Sequence, residues 1–499
     1  MDSVHFALAL RHYDITVHQP HPPGYFLYVM LGRFLNLFVK DANTVYVSIS
    51  IFFSGLTVVA IYYLGREIFD HRTGLLAAVI ALTSPNLWFH GEVALTYIVE
   101  AFFSTLIALF CWKIYKGEDK YIWISALALG IAGGVRQNTT IFLFPLWLFS
   151  LRRMPLKKIV EAIALLGVVC LLWFVPMVLL TGGWTSYRDA FNELMTFNTG
   201  NVSVFKKGWT SFRIFSSTLF DFTIYGVGAG IFTLGLAAYS MLRRKRHYDV
   251  RKAKSVALFV SSWVLPPFFF YLLIFIHPSN PGYILIFLPA LLILAGASIV
   301  YLAEDVKGIM KRDVLLPISL AVICANAALF FFTSYPVSYR SIRNHDRDLE
   351  ILLDSIRIAE FSNTAIFVGP YIFFGYRQIM FYLPDYLVYQ VDVRVTPEGK
   401  KRKTFWGVNG ETYVSNSIRL PGNIRNFLIP FIADDKDIVK RIGGVTLKRL
   451  DDTNIYLASG SVSLVTKIYP ELQISLTGTK TDALHLITFR HGESKKSRV

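Results

Sequence analysis

His18-Gln19-Pro20-His21-Pro22-Pro23-Gly24-Tyr25 stands directly ahead of a long series of apolar segments, and its reading decides how the chain is organised. Proline fixes φ and removes backbone donors, so this stretch is a stiff polar loop and not ordinary helix. Irregular backbone next to a membrane is kept mostly where it is buried in protein or lines a cavity. Two imidazoles and a tyrosine on such a loop therefore make His18, His21 and Tyr25 candidate substrate-binding residues. The plainer alternative is a turn that redirects the chain onto the membrane surface.

The apolar series fixes the class. The chain has 499 residues, 54% hydrophobic and 17% charged, with a mean hydropathy of +0.46; soluble domains carry about a quarter charged residues. Apolar runs recur at 44–64, 73–90, 95–115, 121–134, 138–151, 158–181, 217–242, 255–276, 281–302 and 314–333. A bilayer core is crossed by about 20 apolar residues in a helix, so about ten spans are expected. The short pair 121–134 and 138–151 is read as tilted, re-entrant or set in a thinner part of the protein. The fold expected is a mainly α-helical polytopic membrane protein.

The net charge of +16 suggests nucleic acid until its placement is considered. Arg152-Arg153 with Lys157-Lys158, the Arg243–Arg246 cluster with Arg251, Lys252 and Lys254, and Lys307 with Lys311-Arg312 all lie in connections between apolar runs. Such clusters mark cytoplasmic loops. No basic stripe interleaved with aromatics is present, which excludes a nucleic-acid partner. Alternation then places outside the segment 1–43, the loop 91–95, the turn 135–138, the segment 182–216, the loop 277–280 and everything after about residue 334. No apolar segment or signal peptide precedes the first outer stretch, so a transmembrane helix upstream of this sequence is expected. Cys111, Cys170 and Cys324 all fall inside apolar runs, giving neither a disulfide framework nor zinc-ligand spacing.

Polar residues gather on the outer side. Residues 3–14 read as a short amphipathic helix with Val4, Phe6, Ala7 and Leu10 on one side and Asp2 or Ser3 as its cap. Residues 24–40 read as a second, lying along the membrane. A helix starting near Glu92 would align Glu92, Thr96 and Glu100 on one face, beside Tyr97, with Glu100 inside a span; an intramembrane carboxylate is a functional hypothesis by default. The turn Gly133–Thr140 carries Gln137 and Arg136, the latter with almost no charged neighbours in the outer loops. A guanidinium there is suited to a phosphate, held through two parallel hydrogen bonds; a snorkelling anchor is the plainer reading. His277 and Tyr283 flank another rigid outer loop, and 182–216 suits headgroup contact.

After residue 334 charged residues rise and short alternating runs appear, at Ala365–Val368, Asn426–Pro430, Val445–Leu450 and Asn454–Ala458. They point to a compact outer α/β domain. The aromatics between Tyr371 and Tyr389 suit a core better than sugar stacking. The tail Lys495–Val499 is expected to be disordered. The domain plan is thus 1–43 as an outer loop with juxtamembrane helices, 44–333 as the membrane module and 334–499 as the extracytoplasmic α/β domain.

Carboxylates, histidines, an isolated arginine and aromatic walls fit group transfer from a substrate whose leaving group is an anchored phosphate. One carboxylate would take a proton from an acceptor hydroxyl; basic groups, or a divalent cation, would stabilise the departing phosphate. The order of parts (Asp2, Pro22-Pro23, Glu92, then many spans) and the pairing of His18–Tyr25 with Gly134-Val135-Arg136-Gln137 resemble the GT-C superfamily of integral membrane glycosyltransferases. The likeness is to its protein O-mannosyltransferase and lipid A sugar transferase branch, over about residues 1–333. The resemblance implies a GT-C-like bundle, a polyprenyl-phosphate sugar donor and inversion at the anomeric carbon. It also implies catalytic roles for Asp2 and, less directly, Glu92. Many relatives have two adjacent acids where Ser3 follows Asp2 here, which leaves open whether a divalent cation is held by Asp2 and Glu92. The acceptor would be a lipid, glycan or protein, in a bacterial or archaeal cell membrane. Two rivals are a lipid or solute transporter, which would show broken helices in related halves, and a catalytically silent scaffold of the same fold.

Overall fold

The computed structural model describes residues 2–196, 202–244, 250–368, 375–396, 399–408, 411–415, 418–432, 447–469 and 474–476. The tail Lys495–Val499, residues 371–374 at the start of the aromatic stretch Tyr371–Tyr389, and part of the 243–254 basic connection lie outside the described residues. Two compact units emerge, one made of Met1–His21 with Arg343–Val499 and the other of Pro22–Ile342. Their boundary falls inside the His-Pro loop, between His21 and Pro22.

Every element described in the membrane unit is a helix. Helices α2 (Phe26–Asn36), α3 (Ala42–Ile68), α4 (His71–Thr83), α5 (Pro85–Glu92), α6 (Tyr97–Tyr115), α7 (Tyr121–Val135), α8 (Gln137–Leu151) and α9 (Leu156–Leu180) form its first part, α1 (Asp2–Arg11) belonging to the other unit. Then come α10 (Trp184–Met195), α11 (Val204–Lys207), α12 (Trp209–Val227), α13 (Gly230–Arg244), α14 (Val250–Leu273), α15 (Leu288–Met310) and α16 (Leu315–Phe332). Asp41 caps α3 by accepting from Thr44 N at 2.7 Å, and Asp70 caps α4 by accepting from Thr73 N at 2.8 Å.

Six described helices are long and apolar enough to cross a bilayer, or seven if one bent pair counts as a span. The sequence reading gives about ten, and the difference has local causes. The run 73–90 is two helices, because Pro85 cannot continue α4 and instead starts α5 at its first position. The run 217–242 is α12 and α13, bent by 96°. Its break sits at Gly228, whose φ of +60° is left-handed. The backbone N–H of Ala229, freed by the bend, donates to Asn326 Oδ1 at 2.8 Å, so that donor keeps a partner at the break. The short helices α7 and α8 keep the lengths read from the sequence and meet at Arg136, whose extended backbone separates them. The molecule is a multi-pass membrane protein.

The other unit is an α/β domain. It contains α1 (Asp2–Arg11), α17 (Tyr339–Arg357) from Arg343 on, α18 (Tyr376–Tyr382) and α19 (Val462–Ile468). Its strands are β1 (Thr364–Val368), β2 (Leu387–Thr396), β3 (Gly399–Val408), β4 (Glu411–Ser415), β5 (Ile418–Leu420), β6 (Asn426–Ile432), β7 (Leu447–Arg449), β8 (Ile455–Gly460) and β9 (Ile474–Leu476). Seven form one sheet in the order β4-β3-β2-β1-β6-β8-β7, parallel about β1 and antiparallel towards both edges, while β5 and β9 pair separately. All five residues of β1 are buried, as expected for a central parallel strand covered on both faces. Ala365 and Phe367 join a core with Leu464, Val465 and Ile468 of α19. Ile366 and Val368 join another with Leu352 and Ile356 of α17 and Val4 and Leu8 of α1. Tyr389 stacks on Phe367 at 4.8 Å between ring centroids, consistent with the core reading of that aromatic.

Here α1 departs from the amphipathic surface helix read in the sequence. Val4, His5, Phe6, Ala7, Leu8 and Ala9 are all buried, which leaves no continuous solvent face. The reason is non-local: Val4 and Leu8 pack against a domain more than 300 residues further along the chain.

Candidate active site

In the membrane unit, the start of α6 and the break between α7 and α8 bring an acid and a base together. Arg136 Nε lies 3.1 Å from Glu100 Oε2, and both side chains are buried. The pair is close but not aligned as a hydrogen bond. Its other oxygen, Oε1, accepts from Thr139 Oγ1 at 2.9 Å, and Arg136 Nη1 donates to Thr96 Oγ1 at 3.3 Å. The guanidinium is therefore not isolated, as the outer-loop inventory suggested, but ion-paired with an acid 36 positions earlier in the chain. Among the described residues Nη2 has no acceptor, so one corner of the fork remains for a ligand.

Aromatic rings enclose the arginine. Its Cζ lies 4.2 Å from the ring centre of Tyr97, 5.7 Å from Tyr283 and 5.9 Å from Tyr25, distances at which a cation is attracted to a ring face. Tyr271 extends the cage, 5.2 Å from Tyr283, with a buried hydroxyl that finds no hydrogen-bond partner among the described residues. Asn280 Nδ2 donates to the Tyr97 hydroxyl at 2.6 Å, and Asn86 Nδ2 donates to the Pro281 carbonyl at 2.9 Å. A Cβ at Gly282 would lie 2.5 Å from the Tyr97 ring and 2.8 Å from His90 Nε2. Gly282→Ala is therefore expected to displace Tyr97 at a cost of about 1–3 kcal/mol, read as a lower melting temperature in detergent; an unchanged melting temperature would mean that the cage is loosely packed.

Gln137 donates to the Pro23 carbonyl at 3.1 Å, tying the α7–α8 break to the His-Pro loop. Tyr25 caps α2 with a left-handed φ of 45°. Glu92 is not on the same helix as Glu100: α5 ends at Glu92 and α6 begins at Tyr97, which breaks the predicted alignment. The Glu92 carboxylate instead accepts from Trp88 Nε1 at 2.6 Å. His277 is exposed, and its Nδ1 accepts from Ser279 N at 3.2 Å within its own turn.

The α/β unit holds the rest of the His-Pro loop. Asp14 and Gln19 pair across it as an isolated bridge, and His18 adopts a left-handed φ of 59°. The buried Arg377 donates to the carbonyls of Val17 at 2.5 Å and His18 at 2.6 Å, clamping the loop. His5 Nδ1 and His21 Nδ1 approach to 3.3 Å, and Asp2 joins them so that ligand atoms of all three lie within 4.8 Å. Glu92 is no part of that cluster. Burial pushes the His5 imidazole well below its usual pKa, and the nearby Arg377 guanidinium and the other two histidines push it the same way, so it is neutral near pH 7.

Sequence reasoning missed Thr96 as a partner of Arg136, Thr139 as a partner of Glu100, Tyr271 as part of the aromatic cage, and His5 as a neighbour of Asp2. The last was open to view: residues three apart on a helix share a face.

In sequence and fold this chain resembles the GT-C integral membrane glycosyltransferases. Residues 20–180 match the sequence model of the dolichyl-phosphate-mannose-protein mannosyltransferase family. The crystal structure of ArnT from Cupriavidus metallidurans bound to undecaprenyl phosphate covers 93% of this chain and 94% of its own, at 13% identity and a TM-score of 0.55. The same protein in the apo state gives 14% identity and a TM-score of 0.56 over the same shares. No curated protein matches the chain.

Proposed function

We propose that this protein transfers a sugar from a polyprenyl-phosphate-linked donor to an acceptor hydroxyl on the extracytoplasmic side of the membrane, inverting the anomeric carbon. The observation that carries the reading is Arg136, a buried guanidinium held by Glu100 and Thr96 and ringed by tyrosines, with Nη2 left for an anion. A lipid phosphate meets such a fork through charge-assisted hydrogen bonds. The ArnT fold supports the reading, since that protein binds undecaprenyl phosphate.

In this scheme Asp2 takes the proton of the acceptor hydroxyl. The acceptor oxygen attacks the anomeric carbon from the side opposite the phosphate, the carbon–oxygen bond to phosphate breaks, and its electron pair leaves on the phosphate. Arg136 offsets the charge that accumulates there. Tyr25, Tyr97 and Tyr283 offer apolar faces to the donor. A transporter would place broken helices in two related halves; among the described residues one bent pair occurs, α12 with α13.

The test is a transfer assay on the purified full chain with a panel of polyprenyl-phosphate sugars, following release of free polyprenyl phosphate. Release from one donor with matching glycosylation of an acceptor supports the reading. No release from any donor by folded, membrane-inserted protein would move the assignment to transporter or scaffold.

A further inference from the structure

We propose that Asp2, His5 and His21 bind a single divalent transition-metal ion of the zinc class, through the Asp2 carboxylate and one ring nitrogen of each histidine. The three ligand atoms lie within 4.8 Å of one another. The Nδ1 atoms of His5 and His21 are 3.3 Å apart. Two nitrogens each about 2.0–2.1 Å from a tetrahedral zinc are separated by roughly 3.3–3.4 Å, so the rings already have the spacing a shared ion imposes. A hydrogen bond between the rings accounts for that one distance, but not for the convergence of a carboxylate on the same point.

The site is built from two directions. Asp2 and His5 are three residues apart in α1 and share a face. His21 arrives on the loop that Arg377 clamps through the Val17 and His18 carbonyls and that the Asp14–Gln19 bridge closes. The rings of His5 and His21 meet at 5.4 Å between centroids and 63°, so their edges rather than their faces converge. Arg377 faces His5 as a nearby positive charge and weighs against a dication there. The Asp2 carboxylate is the ligand that offsets it.

The donor set selects the ion. Magnesium and calcium prefer all-oxygen sets, whereas imidazoles with a carboxylate suit zinc and its neighbours. Three protein ligands leave a fourth position open to water or another oxygen ligand. Metal binding at this site does not depend on the transferase reading, because it is measured without donor or acceptor.

The experiment uses the full chain without a polyhistidine tag, in detergent, stripped of metal and titrated with Co2+. One equivalent is expected to bind, with the visible bands of a low-coordinate nitrogen and oxygen site that zinc then displaces. X-ray absorption of the zinc form is expected to show two imidazole ligands. His5→Ala and His21→Ala should each weaken binding by more than about tenfold, while His12→Ala, a change at an exposed residue of the same segment, should leave it unchanged. The wild-type protein decides the matter even if a variant fails to fold: no binding at equimolar Co2+, or zinc without two imidazoles, overturns the site. Wild-type affinity in both folded histidine variants overturns it too.

Discussion

Arg136→Ala is expected to raise the KM for a polyprenyl-phosphate donor by about ten- to a hundredfold, the size of losing a hydrogen bond to a charged group at about 1.5–3 kcal/mol. It should also destabilise the protein. Glu100 is fully buried and sits 3.1 Å from the guanidinium, and removing one partner of a buried ion pair costs about 3–5 kcal/mol because the other charge is stranded. The two effects separate in a second variant. Glu100→Gln combined with Arg136→Gln removes both charges, so it should regain most of the lost stability while donor binding stays weak. Arg136→Lys keeps the charge without the planar fork and should fall between wild type and alanine. Melting temperatures in detergent and donor-dependent steady-state rates provide both readouts. A donor KM within twofold of wild type in folded Arg136→Ala would remove the phosphate role and leave Arg136 as a structural partner of Glu100.

Glu100 and Arg136 show why only part of this site was legible. Each stood out alone, the acid because an intramembrane carboxylate is costly, the base because its loop has few other charges. Their pairing depends on how α6 packs beside the α7–α8 break, and no local pattern encodes that. The long spans were legible, because length and hydropathy suffice to define α3, α9, α14, α15 and α16. The broken ones were over-read although their breakers are in the sequence: Pro85 divides one run, and Gly228, near Gly226 and Gly230, divides another. The same weakness misplaced Glu92, since the register that aligned it with Glu100 required a helix to start where α5 ends. Four strands of the α/β domain, β1, β6, β7 and β8, were visible in their alternation, but the docking of α1 against α17 joins residues at opposite ends of the chain. Asp2 and His5 were within local reach, three positions apart on one helix. His21 was on the His-Pro loop, whose course depends on non-local contacts such as the Arg377 bonds to the Val17 and His18 carbonyls.

Asp2→Asn is expected to lower kcat by about 10²–10⁴-fold, the usual contribution of a general base, with little change in donor KM or melting temperature. The substitution keeps the side-chain shape. Asp2 sits in the first turn of α1, where a negative charge adds only about 0.3–1 kcal/mol through the helix dipole, so lost turnover could not be ascribed to unfolding. Its two assigned roles, proton acceptor and metal ligand, predict different residual behaviour. A ligand defect weakens metal binding and is reversed by raising zinc until the site refills. A missing base is not reversed at any zinc concentration, and it removes the acidic limb of the pH–rate profile, because asparagine has no proton to lose. Glu92→Gln is the companion variant: its amide oxygen can still accept from Trp88, and a normal rate would confine the chemistry to Asp2. If Asp2→Asn turns over within tenfold of wild type at saturating donor, the base lies elsewhere and the likeness to the first-loop acid of the superfamily does not extend to its role.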